Sequence, residues 1–199
     1  MAISDLTRTS LLLAALALAI TGCGSGSSSS GSAQGGANAA SAEAQSAAQG
    51  DIPDNQKFLR FQNSQAGYSI QYPEGWAQKG STTDVTFSDK DNSVEIAVSK
   101  GPTPTVSSVS AELRKEAARD TTLKPGTPQQ ITEGPNQTVH VVYHVEGPPD
   151  PVTGKRFTLM VDRYVLGNKG RIATVNEATP VGVDNVDAYR MIIQSYRWS

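Results

Sequence analysis

His140 and His144 are the two histidines of the chain, and both fall in the alternating run TVHVVYHVEG. Even spacing puts them on one face of a strand. Four strand residues separate their Cα atoms by about 13 Å. Two imidazoles on one zinc, with bonds near 2 Å, need their nitrogens within about 4 Å of each other. One regular strand therefore cannot offer both to a single metal ion, and they read as sheet-face histidines open to ligand contact. Asp89-Lys90-Asp91-Asn92-Ser93 places oxygens where a calcium loop has its first ligands. Val94 stands at the obligatory glycine and Lys100 at the closing glutamate, which excludes an EF-hand. The run reads as a tight turn, with Asp89 and Asp91 kept as cation contacts. In GPPDPVTGK (147–155), Gly147 and Gly154 are too far apart for a phosphate loop. Its three prolines remove N–H donors, and Arg156 stands where Ser or Thr would hold magnesium. That loop reads as a stiff contact edge or a plain connection.

The chain has one cysteine, Cys23, at the end of Ile20-Thr21-Gly22-Cys23. Arg8 and the apolar run Leu11 to Ile20 precede it. That run is too short for a bilayer core of about 30 Å but suits the h-region of a signal peptide. Branched aliphatic, small residue, glycine and cysteine together resemble the bacterial lipobox. The resemblance implies cleavage between Gly22 and Cys23, diacylglycerol on the Cys23 thiol and a palmitate-type acyl chain. Residues 1–22 are thus expected to be a lipoprotein signal peptide. No thiol is left for catalysis, nucleophiles reduce to Ser and Thr, and no G-x-S-x-G elbow occurs after residue 56. A hydrolase would need His140 or His144 beside a serine and a carboxylate. Asn136-Gln137-Thr138 is a glycosylation sequon only where the machinery exists. Tyr72 and Trp76 read as core or as groove lining.

Removing residues 1–22 takes away Asp5 and Arg8, leaving 16 of the 17 Lys+Arg against 18 of the 19 Asp+Glu. So small a net charge offers no field for nucleic acid or an anionic membrane. Residues 24–50 contain Gly, Ser, Ala, Gln, Asn and a single acid, Glu43. Such a segment cannot bury enough apolar surface to offset ordering. Residues 23–56 are therefore expected to be a lipidated cysteine and a disordered tether. Its coil span is roughly 30 Å, and about 110 Å when extended.

From residue 57 to 199 the pattern is that of one α/β domain. Alternation and turn residues mark six clear β segments and two weaker ones. These are FLRFQ (58–62), GYSIQYP, DVTFS, VEIAVS, QQITE (129–133), TVHVVYHVEG (138–147), FTLMVDRYVLG (157–167) and RIATVNEA (171–178), the first and QQITE being weaker. DVTFS and VEIAVS form a hairpin across residues 89–92. The middle strands are apolar on both faces, as in a sheet covered on both sides. Val106, Val109, Leu113 and Ala117 make one helical stripe over 106–120, with Glu112, Lys115, Glu116 and Arg119 on its wet side. A second helix is expected over 184–196, capped by Asp184, burying Val186, Tyr189, Ile193 and Tyr196. The fold class is α+β, an antiparallel sheet of about six strands sandwiched between helices, without the βαβ alternation of a doubly wound fold.

Gly67-Tyr-Ser-Ile-Gln-Tyr-Pro-Glu-Gly-Trp76 resembles the opening strand of PsbP-like domains, the group of the extrinsic oxygen-evolving-complex subunit of photosystem II. The element order and the closing Ser195-Tyr196-Arg197-Trp198 are similar to that family's. The resemblance covers roughly residues 58–199 and implies a sheet between helices and a non-catalytic domain that docks onto other proteins. The lipobox and tether stand where photosynthetic members carry a targeting and docking segment, which argues against a photosystem role. Two readings of function stand at this point. One is a lipid-anchored, extracytoplasmic binding or assembly module that is not an enzyme and uses no cofactor. The other is a lipoprotein that binds a small ligand or cation through Asp89, Asp91, His140 or His144. Both place it at the cell membrane, held by Cys23, with an extracytoplasmic protein partner and no nucleic acid.

Overall fold

The computed structural model describes residues 50–149 and 154–199. Gly22, Cys23, the tether up to residue 49, and residues 150–153 of the GPPDPVTGK loop lie outside the described residues. Ten strands and two helices are present among the described residues. They are β1 (Phe58–Asn63), β2 (Tyr68–Pro73), β3 (Ala77–Gly80), β4 (Asp84–Asp89), β5 (Asn92–Lys100), α1 (Val106–Arg119), β6 (Gln129–Glu133), β7 (Asn136–Glu146), β8 (Thr158–Asn168), β9 (Arg171–Pro180), α2 (Val186–Gln194) and β10 (Arg197–Trp198). A 7-stranded sheet runs β3-β4-β5-β9-β8-β7-β6, and a separate 3-stranded sheet runs β1-β2-β10. Every pairing is antiparallel.

The strand count and the division into two sheets correct the expected single sheet of about six. Alternation could not show β3, because its residues AQKG are all exposed; its place is set by main-chain bonds to β4. β10 is two residues long, below any period. The β1–β2 hairpin pairs with the C-terminus instead of joining the main sheet.

Each face of the large sheet has its own core, as strands apolar on both sides require. On one face Val139, Val141, Val161 and Val165 pack beneath Val109 and Leu113 of α1. On the other, Val94, Ile96, Tyr164, Leu166 and Val175 meet Tyr189, Ile192 and Ile193 of α2, with Tyr68 and Ile70 of the small sheet beside them. Fully burying one such aliphatic stabilises the fold by ~1.5–3 kcal/mol relative to exposure, so Ile192 and Ile193, both fully enclosed, fasten α2.

α1 begins in a capping box: Ser108 N donates to Thr105 Oγ1 at 3.1 Å and Thr105 N donates to Ser108 Oγ at 2.9 Å. Its stripe is narrower than expected, since Val106 is exposed. Glu116, assigned to the wet side, turns inward to a buried arginine, as described below. α2 starts one residue later than Asp184, at the N-cap Asn185. The Asn185 side chain makes no cap bond, because a buried network holds it instead. Val186 is 52% exposed and so lies outside the stripe, whereas Ile192 is inside it. Gly134, in the β6–β7 turn, has φ +55°, and a Cβ there would lie 3.1 Å from the Gln194 carbonyl. A left-handed turn pressed against the end of α2 leaves room for glycine alone.

The chain is already bonded to the domain at residue 50. Asn92 Nδ2 donates to the Gly50 carbonyl, Asn185 Nδ2 donates to it at 3.3 Å, and Ile52 N donates to Asn185 Oδ1 at 2.7 Å. Residues 50–52, grouped by composition with the tether, are thus fastened beside the start of α2.

Candidate functional site

Register places charged groups in the buried rows of the large sheet. Asp162 of β8 pairs with Glu177 of β9, and Tyr164 with His140 of β7. Parity turns His140, Asp162, Tyr164 and Glu177 toward the same face. Over them lies the first half of α2, contributing Asn185, Val186, Tyr189 and Arg190. β6 closes one side with Ile131 and Glu133. These groups enclose a cavity of about 240 Å³.

Most of its polar lining is already bonded. His140 Nε2 and Asp162 Oδ1 share a bond of 2.7 Å; with an ionised carboxylate the proton sits on Nε2. The His140 ring also stacks on Tyr164, centroids 4.5 Å apart. Thr179 Oγ1 donates to Asn92 Oδ1 at 2.8 Å and accepts from Asn185 Nδ2 at 3.1 Å. Tyr189 donates its hydroxyl to the Ala178 carbonyl at 2.6 Å, and Glu133 Oε1 accepts from Gln194 Nε2 at 2.8 Å. Arg190 leans outward to Asp187 at 3.1 Å.

Glu177 differs. Its side chain is fully buried, and neither carboxyl oxygen has a hydrogen-bond partner. Burial pushes its carboxyl well above the ordinary carboxylate range, and the nearby Asp162 and Glu133 push it further. Burial of this kind favours the neutral, protonated carboxyl over the carboxylate. Burial, with a contribution from the same carboxyl, also raises Tyr189 well above the usual phenol value.

The opposite face holds a second concavity, a groove of about 350 Å³ lined by Tyr143, Val145, Phe157 and Leu159 with Asp91 and Glu95 at its polar side. Next to it Arg163 is buried, and each of its three side-chain nitrogens donates a hydrogen bond. Its Nε donates to Asn176 Oδ1 at 2.9 Å, Nη1 to Glu116 Oε2 at 2.9 Å and Nη2 to Tyr143 OH at 3.0 Å. The guanidinium lies 5.0 Å from the Tyr143 ring centroid. Glu116 is the counter-charge that α1 brings down onto the sheet.

The structure does not bring the four residues singled out from sequence together. His140 lines the cavity under α2. His144, on the same strand, is exposed, and its backbone bridges to Lys124. Asp89 ends β4, exposed and paired in register with Asn92. Asp91 borders the groove on the other face. Among the described residues no three His, Cys, Asp or Glu side chains converge in a way that could hold a metal ion. Tyr72 stacks on Phe87 at 4.1 Å, and Trp76 packs against the same core. Asn136 of the sequon is half-buried and donates Nδ2 to the Tyr196 carbonyl at 3.1 Å. Glu177, Asp162 and Arg163 went unrecognised in the sequence. A signal was present: Glu177 shares parity with Ala173 and Val175, and Arg163 with Val161 and Val165, in strands apolar on both faces.

The ten strands among the described residues, the helix on each face and the small terminal sheet share the fold of PsbP. Cyanobacterial PsbP (CyanoP) from Synechocystis sp. PCC 6803 superposes with a TM-score of 0.56 and 16% identity, over 75% of this chain and 98% of that one. The Ran-binding protein Mog1p of Saccharomyces cerevisiae gives 0.48 and 8% identity, over 72% and 96% of the two chains. LpqN of Mycobacterium tuberculosis, involved in cell envelope biogenesis, gives 0.43 and 12%, over 72% and 91%. At these identities the likeness to CyanoP establishes the fold and nothing more. No protein-family model and no curated protein matches the sequence.

Proposed function

We propose that this chain is an extracytoplasmic, lipid-anchored binding or assembly module that performs no turnover. The observation that carries it is the order of the sequence: a lipobox ending on Cys23, a Gly/Ser/Ala tether, then a PsbP-like domain. Processing before Cys23 would leave two acyl chains on one residue, and two chains hold a membrane stably where a single one is marginal. The tether then sets the reach of the domain over the membrane surface, where its partner is an extracytoplasmic protein.

The geometry around the histidines supports a role without turnover. A hydrolytic site needs a free nucleophile within hydrogen-bond reach of its base. His140 has the Asp162 carboxylate beside it, but no serine lines its cavity, and the Thr179 hydroxyl there is committed to Asn92. His144 stands exposed on the same strand, apart from this cavity.

Metabolic labelling with a palmitate analogue, followed by membrane fractionation, tests the anchor. The native chain is expected to carry label and sediment with membranes, and Cys23→Ala to do neither. A Cys23→Ala chain that is cleaved and membrane-bound like the native one would overturn the anchor. Crosslinking on intact membranes tests the binding role, which fails if replicate experiments return no specific protein partner.

A further inference from the structure

A buried carboxyl without a partner costs free energy that folding alone gives no reason to retain. Glu177 is the only residue lining the cavity under α2 that is both fully enclosed and unpartnered among the described residues. The groups facing it come from every surrounding element: Glu133 of β6, His140 of β7, Asp162 and Tyr164 of β8, Thr179 of β9, and Asn185, Tyr189 and Arg190 of α2. Thr179, Asn185 and Tyr189 are satisfied by Asn92, Gly50 and Ala178. His140 and Asp162 satisfy each other, and Arg190 is drawn to Asp187. What the chain leaves unfilled is a hydrogen-bond partner for the Glu177 carboxyl.

We propose that this cavity is the binding site for a small organic cation, a primary ammonium or guanidinium on a short alkyl chain, with Glu177 as its counter-ion. Three acids, Glu133, Asp162 and Glu177, line a space whose basic residues are His140, held by Asp162, and the outward-leaning Arg190. Tyr164, its ring stacked on His140, and Tyr189 add aromatic side chains to the lining, and aromatic rings attract ammonium and guanidinium groups. A volume of about 240 Å³ lies below the span of drug-sized pockets and suits a head group with a few carbons. The absence of any three convergent metal-ligating side chains among the described residues favours an N–H donor over a metal ion. Exposed Val186 and the exposed side chain of Arg190 stand at the margin and leave a way in. As the cation seats, the Glu177 carboxyl gives its proton to solvent and the carboxylate pairs with the N–H donors. Where Glu177 is protonated in the free protein, one proton leaves for each cation bound, and affinity rises with pH until Glu177 is ionised. This site goes beyond the anchoring role and does not depend on Cys23.

The test titrates the full chain with n-butylammonium and ethylguanidinium, with n-butanol as the neutral counterpart and a short lysine peptide as a carried ammonium. Amide NMR shifts at Tyr164, Glu177 and Tyr189 report binding, and calorimetry in buffers of different ionisation enthalpy reports the proton. The cations are expected to shift these amides and release one proton. n-Butanol and the Glu177→Gln chain are each expected to bind at least about tenfold more weakly. A tighter fit for the peptide would assign the ammonium to a lysine of another polypeptide, and a tighter fit for the free amine to a metabolite; either supports the site. Should Glu177→Gln not fold, Asp162→Asn, with affinity reduced about threefold, and proton release by the native chain decide. No shift at millimolar cation, undiminished binding by Glu177→Gln, or displacement of the same amides by zinc or manganese but not by amines would overturn the proposal.

Discussion

The two faces of the large sheet each bury an ionisable group in its second row, and they treat it in opposite ways. Under α1, Arg163 reaches Glu116, Asn176 and Tyr143, so each guanidinium nitrogen is engaged. Under α2, Glu177 reaches nothing. A satisfied buried charge rigidifies a fold and fixes how a helix sits, while an unsatisfied buried polar group is a cost retained for another use. The contrast separates a structural clamp from a candidate ligand site within one sheet.

The contrast breaks most sharply at Glu116. Glu116→Ala strands the Arg163 charge, and a loss of about 3 kcal/mol is expected in denaturant unfolding. Arg163→Met is expected to cost less, about 1–2 kcal/mol, because the partly exposed Glu116 can turn to water. Equal costs for the two would mean that the pair is not a clamp.

Glu177 is expected to show the opposite sign. Its folded pKa is raised, so the stability it contributes is complete below the unfolded carboxyl value near 4.3, and it falls as pH rises toward the folded value. Relative to Glu177→Gln, the native chain should therefore lose stability as pH rises above about 4.3, at up to about 1.4 kcal/mol per pH unit. Unfolding curves at several pH values read that slope directly, and parallel curves would contradict it.

Asn185→Ala opens the network of Asn92, Thr179 and Gly50 beside the cavity. A loss of about 1.5 kcal/mol is expected, with faster proteolysis near residue 50 as Gly50 and Ile52 are released. The smallest effect is remote from both faces: Thr105→Ala removes the α1 cap and is expected to cost about 1 kcal/mol, with no change at Glu177.

Much of the architecture was legible from alternation. Strands such as β7 and β9, with Val139 and Val141 or Ala173 and Val175 in phase, announce themselves and their covered faces. β3 was not legible, because Ala77 to Gly80 pair through the main chain with nothing apolar to mark them. The cap of α2 was misplaced because the Asn185 side chain serves long-range partners that local spacing does not reveal. Among site residues, histidines draw attention by type, yet His144 is exposed and only His140 enters the cavity. Glu177 looks in sequence like the polar half of an alternating strand. Only the phase of Ala173 and Val175, together with the cover supplied by α2, shows that it faces inward.

The most direct measurement is the titration of the Glu177 side-chain carboxyl carbon by ¹³C NMR, with and without n-butylammonium. The account predicts a midpoint well above the ordinary carboxylate range in the free protein, moving down when the cation is added. A midpoint near 4.3, indifferent to the cation, would contradict it.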